Sequence, residues 1–214
     1  MKILQVTNDF GLGGTPRLVR DIALGLKEKN IDVEVCVLNS KTDIYSSELC
    51  EEGITIHDLC LNTLYNPIAI KWFADNLKNY DIVHVHLFPA LYWVSLAAKA
   101  SNYSGSLVFT EHSTYNRRRK YNWLQPIDKW IYESYDTIVN ISLPVKKALC
   151  KWLPSIKEWT IVIENGIDIK RFSQASSIKK SSLVGDLGNL DNSLVLILMV
   201  ASLAPSKDHE TLIN

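Results

Sequence analysis

The stretch "TNDFGLGGTPRLVR", residues 7–20, decides the fold. It follows the apolar run "KILQVT" (2–7), which reads as a buried strand, and it leads into Leu18, Val19, Ile22, Ala23 and Leu26 at helical spacing, to about Lys29. A glycine-rich turn between a strand and a helix places free backbone N–H groups at a helix N-terminus, where an anion is held. Thr15 is the expected N-cap and Pro16 the expected first helical residue. Arg17 and Arg20 add positive charge beside the turn. The dinucleotide fingerprint G-x-G-x-x-G fails here. Its third glycine position is Pro16, and the second strand ends at Asn39-Ser40 without an acid. A tight turn without a ligand remains the alternative.

Outward from this turn, strand and helix signals alternate. Strands are expected at 31–38, 53–59, 81–87, 106–112 and 136–142, and 159–168 reads as a strand running into a turn at Asn165-Gly166. Helices are expected at 67–80, 89–100 and 126–135, and a further one is capped by Ser142 with Pro144 near its start. Such alternation predicts an α/β fold, a Rossmann-like parallel sheet with helices on both faces, over residues 1–169. Residues 170–192, rich in serine and lysine, read as a linker. The apolar run 193–202 and the helical signal from 205 read as the first strand–helix unit of a second lobe.

Composition narrows the function. Lys+Arg and Asp+Glu both number 23, giving a net charge of zero, so no nucleic-acid partner is expected. Cys36, Cys50, Cys60 and Cys150 show no metal-ligand spacing and are expected as reduced thiols of a cytoplasmic protein. The N-terminus carries no secretory h-region, and no apolar run is long enough to span a bilayer.

In an open α/β sheet, ligands bind at the carboxyl ends of the strands. The chemistry-bearing residues expected there are Gly13 and Gly14; His84 and His86 of "HVH"; Glu111 and His112 of "TEHSTYNRRRK"; and Asn165, Gly166 and Asp168 of "ENGID". Lys207 stands at the expected helix start of the second lobe. His84 and His86 share one strand face, but a metal site needs a third ligand and none is evident, so no metal is expected. Arg117, Arg118, Arg119 and Lys120, beside Tyr115, Tyr121 and Trp123, suit contact with a membrane or a phosphate-bearing acceptor; a solvated loop is the alternative.

The order of these features resembles the N-terminal part of retaining GT-B glycosyltransferases of family 4, and "TEHSTYNRRRK" resembles its bacterial members that build capsular, teichuronic or exopolysaccharides. The resemblance implies a two-lobed enzyme that transfers a sugar from a nucleotide sugar, with retention, to a polysaccharide or lipid-linked acceptor, without a metal or other cofactor. It implies that Gly13 and Gly14 lie against the donor or acceptor, with Arg17, His86, Glu111, Asn165 and Gly166 among the substrate contacts. His112 matches the histidine that touches the transferred sugar. Lys207 matches the lysine on the donor diphosphate, and Ser202 stands where relatives carry an arginine. It implies a protein at the cytoplasmic face of the membrane. The family's glutamate pair would lie beyond Asn214, so the 214-residue chain alone is expected to be truncated and inactive. A non-catalytic remnant and a nucleotide-dependent oxidoreductase or epimerase are the alternatives.

Overall fold

The computed structural model describes residues 1–41, 43–167, 169, 173, 174, 176, 195, 197–201, 203 and 208–213. The chain divides into two units, Met1–Gly166 and Ile167–Asn214. The first holds seven strands: β1 (Lys2–Thr7), β2 (Asp32–Val37), β3 (Thr55–Asp58), β4 (Ile82–His86), β5 (Ser106–Glu111), β6 (Thr137–Asn140) and β7 (Thr160–Val162). They form one sheet in the order β3-β2-β1-β4-β5-β6-β7. Every pairing is parallel. Strand order reverses between β1 and β4, the place where an open parallel sheet leaves a crevice at its carboxyl edge.

The helices are α1 (Gly14–Glu28), α2 (Ser46–Glu51), α3 (Ile68–Asn76), α4 (Ala90–Ser101), α5 (Gln125–Tyr132) and α6 (Leu143–Trp152). One sheet face carries Leu4, Val6, Val83, Val85, Leu107, Phe109 and Ile138, packed with Phe73, Leu91, Val94, Ile131 and Leu149 from α3 to α6. On the other face Val33, Val35 and Val37 of β2 meet Val19 and Ala23 of α1 and Leu49 of α2. The two faces follow from the period-2 alternation of side chains along each strand.

Several expectations shift. The α1 helix begins at Gly14, and Gly13 is its cap, with no side-chain cap bond. Gly13 supplies the extended backbone a cap needs, and its carbonyl accepts from Arg17 N at 3.4 Å. Thr15 is therefore inside the helix. Pro16, in the first turn, lacks only an N–H that would have had no helical partner. Ser142 does cap α6, accepting from Val145 N at 3.5 Å. The six-residue α2 gives too little periodicity to be read in the sequence. The polar segment 113–123 is not plain loop: Arg117–Lys120 and Asn122–Leu124 are 3-10 turns. No turn forms at Asn165-Gly166; both lie exposed in irregular chain after β7. In the second unit, Val195 and residues 197–201 belong to no strand, and Val195, Ile197, Leu198 and Val200 are exposed. An apolar run becomes a strand only with a neighbour to pair with, and none of the described residues pairs with it. A short helix covers His209–Ile213. All four cysteines are free thiols.

One polar knot ties three strands together. The Glu34 carboxylate of β2 takes Lys2 Nζ at 2.5 Å, His57 Nε2 at 2.6 Å and Tyr80 Oη at 2.6 Å. Burial alone would raise its pKa, but the hydrogen bonds from His57, Lys2 and Tyr80 win and hold it down at about 2. A depressed carboxylate contributes stability that is complete above its unfolded pKa and fades as pH falls toward the folded one. Glu34→Gln should therefore lower stability at pH 7, and the deficit should vanish between about pH 4.5 and pH 2 in pH-resolved urea melts. A deficit that is the same at pH 2 and pH 7 would assign it to packing instead.

Candidate active site

The crevice lies at the carboxyl ends of β1, β4 and β5. From β1 come Thr7, Asn8 and the turn into α1. Asp9 Oδ1 accepts from Gly11 N at 2.9 Å and folds the turn, and Asn8 Nδ2 donates to Phe88 O at 2.8 Å, lacing it to the loop after β4. Among the described residues, the Thr7 hydroxyl and Asn8 Oδ1 are buried without a hydrogen-bond partner. Native proteins rarely leave such atoms unpaired, so they mark the end of β1 as a place prepared for something polar.

The two glycines are not there for the protein's own packing. Gly13 is extended (φ 179) and Gly14 helical, conformations any residue adopts. A Cβ on Gly14 would meet nothing within 4 Å, and one on Gly13 would meet only Pro16 Cδ, at 3.3 Å. The space in front of the α1 N-terminus is open. Arg17 lies beside it, loosely paired with Asp21 at 3.7 Å. Arg20 does not: it bridges to Glu48 of α2 and to Asp21, so its charge fastens α1 to α2.

Three histidines lie in a row from β4 to the end of β5, their rings tilted against one another. The β1–β4 register pairs Gln5 with His84, and the β4–β5 register pairs His86 with Thr110. Alternation puts Gln5, His84, His86 and Thr110 on one sheet face. His84 Nε2 lies 2.7 Å from Thr110 Oγ1; His86 Nε2 lies 3.0 Å from Gln5 Oε1; His86 Nδ1 lies 3.2 Å from His112 Nε2. The His84 and His86 rings are 4.2 Å apart, centroid to centroid. Burial pushes His86 well below its ordinary pKa, and pushes His84 and His112 down to about 4. All three are neutral near pH 7. These contacts occupy four of the six ring nitrogens, and among the described residues no group of His, Cys, Asp or Glu is arranged to hold a metal.

His86 was expected to touch substrate; it is fully buried and backs His112 instead. His112 is half-buried and lines a cavity of about 260 Å³ with Phe88, Phe109, Thr110, Tyr115 and Arg118. Glu111 also reaches this cavity, yet its carboxylate is held within the lobe, by Arg119 Nη2 at 2.8 Å and Tyr132 Oη at 2.7 Å. Its strand position explains this: Glu111 shares the face of Phe109, toward α5.

The basic segment splits. Arg118 is buried, its guanidinium 2.5 Å from the fully buried Asp128 and 4.2 Å from the Phe88 ring centroid. Arg119 is taken up by Glu111. Two of the four expected surface cations are thus internal, because each has a carboxylate on or beside α5. Arg117 and Lys120 remain exposed. Next to them the outer side of α5 and its leading turn presents Trp123, Ile127 and Trp130, at helical spacing, with Lys99 Nζ 4.5 Å over the Trp130 ring. Sequence reasoning missed Gln5, Thr7, Thr110 and Asp128. The polar Gln5 inside an otherwise apolar strand was the one available signal. Asp168, Ser202 and Lys207 lie outside the described residues.

A parallel sheet that switches between β1 and β4, with a glycine turn at the switch, is the Rossmann-like lobe of the GT-B architecture. Residues 12–171 match the family described as Glycosyltransferase Family 4, and the chain belongs to that family. Among solved structures, a glycosyltransferase from Rickettsia africae is 25% identical, with a TM-score of 0.66 over 82% of this chain and 46% of its own. Anabaena HepE, solved with UDP and glucose, is 17% identical, with a TM-score of 0.65 over 79% of this chain and 46% of its own. A UDP-GlcNAc 2-epimerase from Neisseria meningitidis, solved with UDP-GlcNAc, is 18% identical, with a TM-score of 0.54 over 77% of this chain and 46% of its own. The chain thus spans about half the length of these proteins. No curated protein sequence matches it.

Proposed function

We propose that this lobe serves a retaining glycosyltransferase that moves a sugar from a nucleotide sugar to a polysaccharide or lipid-linked acceptor of the bacterial capsular or exopolysaccharide kind. The observation that carries the reading is the open α1 N-terminus at Gly13-Gly14, at the same carboxyl edge of the sheet as His112. The structural neighbours are half again and more as long, so the activity is proposed for a cleft completed by a second, donor-binding lobe. There the sugar C1–O bond to the leaving diphosphate breaks. The acceptor oxygen bonds C1 on the same face, and its proton passes to the departing phosphate oxygen. The α1 N–H groups stabilise the charge that builds on the phosphates, a task that the family resemblance also gives to Lys207. With a pKa near 4, His112 is poorly matched to proton transfer near pH 7 and acts by orienting the sugar. We propose no metal for this step: among the described residues no group of His, Cys, Asp or Glu is arranged to hold one.

The glycines give a direct test. Gly14→Ala should leave the lobe as stable as before, since alanine is the better helix former and its Cβ has room. It should weaken nucleotide-sugar binding by about tenfold, the equivalent of one lost backbone contact. Isothermal titration of the protein carrying both lobes reads this; unchanged affinity would remove the ligand from the turn.

A peripheral site at the cytoplasmic membrane face fits the surface around α5. Trp123, Ile127 and Trp130 are exposed, Lys99 lies over the Trp130 ring, and Arg117, Lys120 and Lys129 are exposed on the same stretch of chain; apolar side chains beside positive charge suit an anionic bilayer. Among the described residues no helix is long and apolar enough to cross one. Trp123→Ser with Trp130→Ser should abolish cosedimentation with phosphatidylserine vesicles and leave the fold intact. Equal binding to neutral and anionic vesicles would contradict this contact.

A further inference from the structure

The arrangement of Gln5, His86 and His112 goes beyond residue contacts, because each hydrogen bond in the row fixes the next. Gln5 sits on β1 with 1% of its surface exposed, and its Oε1 faces His86 Nε2 at 3.0 Å. A carbonyl oxygen only accepts, so His86 carries its proton on Nε2. His86 is fully buried with no carboxylate against its ring, and it stays neutral, so its Nδ1 is a bare lone pair. That lone pair, 3.2 Å from His112 Nε2, requires the His112 proton to be on Nε2. The remaining nitrogen, His112 Nδ1, makes no hydrogen bond within the described residues and is unprotonated.

We propose that Gln5 and His86 are positioning residues that lock His112 in the tautomer presenting an acceptor, not a donor, to the bound sugar. This rests on the reading that His112 faces the transferred sugar. Its consequence is chemical selection: the sugar group meeting His112 is a hydroxyl, which can donate, and not a carboxylate, whose lone pairs would oppose the bare Nδ1. The row also explains a polar residue buried in the middle of β1, which packing alone would fill with an aliphatic side chain. His84 supports it from beside: its ring lies against that of His86, tilted by 41°, and its Nε2 is tied to Thr110.

The test uses nitrogen-15 NMR of the histidine side chains in the 214-residue chain, where long-range couplings report which ring nitrogen bears the proton. Wild-type His112 should show a protonated Nε2 and a bare Nδ1; the opposite tautomer overturns the proposal. In Gln5→Leu, which keeps the volume and removes the acceptor, His86 and His112 should lose their single tautomers. A His112 signal unchanged by Gln5→Leu overturns the role of Gln5. In the enzyme with both lobes, Gln5→Leu should lower kcat about tenfold, the value of one hydrogen bond, with the acceptor KM unmoved. A loss confined to KM would assign Gln5 to packing near the acceptor. The NMR result needs no turnover, so it stands or falls separately from the transferase reading.

Discussion

Replacing Asp128 with alanine should lower the unfolding free energy of the lobe by about 3–5 kcal/mol, the cost of leaving one buried charge without its partner. Asp128 is fully buried. Its Oδ1 receives the Arg118 guanidinium at 2.5 Å and the Tyr92 hydroxyl, and its Oδ2 receives Trp152 Nε1 at 2.9 Å. Deleting the carboxylate strands a cation with only about a tenth of its side chain exposed, and two further donors, at the meeting point of α4, α5 and α6. Arg118 stacks on Phe88, in the loop that Asn8 laces to the glycine turn, so the damage should reach the crevice. Asp128→Asn, which keeps the shape and part of the hydrogen bonding, should cost less. Equilibrium urea unfolding measures both. A loss below about 1 kcal/mol for Asp128→Ala, the range of a surface pair, would mean that Arg118 is solvated and free to serve as a surface cation.

The second large effect concerns turnover. His112→Ala in the enzyme carrying both lobes should lower kcat about 100-fold, the scale of a misplaced reacting group, and cost about 1–3 kcal/mol of stability through the buried His86 Nδ1 it leaves unpaired. The side chain is half-buried at the rim of its cavity, so its removal leaves no large void. His112→Asn retains a polar tip near the ring position and should recover part of the rate. Steady-state kinetics with a nucleotide-sugar donor separates the cases, and wild-type turnover in His112→Ala would place the sugar elsewhere.

Where strands run apolar and helices are long, the residues themselves dictate the architecture. "KILQVT", "IDVEVCVL" and "DIVHVHL" could be placed as parallel strands because both faces are covered, which forces near-continuous apolar runs. The positions of the glycine turn and of His112 at strand ends were legible for a related reason: polar residues interrupt such runs there. What stayed hidden depended on partners distant in sequence. Arg118 and Arg119 look like surface charge until Asp128 and Glu111 are brought beside them. His86 looks like a ligand contact until Gln5, 81 residues away, is seen to hold its ring. The cap of α1 moved by two residues because a backbone carbonyl on Gly13 competes with the Thr15 hydroxyl, and spacing rules cannot weigh the two.

The central claim is transfer with retention from a nucleotide sugar, and the anomeric configuration of the product tests it most directly. The protein isolated from its source cell, given a UDP-sugar and a lipid-linked acceptor, should yield a glycoside with the donor's own anomeric configuration, read by proton NMR. A product of inverted configuration would contradict retention, and a donor sugar epimerised at C2 with no glycoside formed would show that the crevice performs the chemistry of its epimerase neighbour.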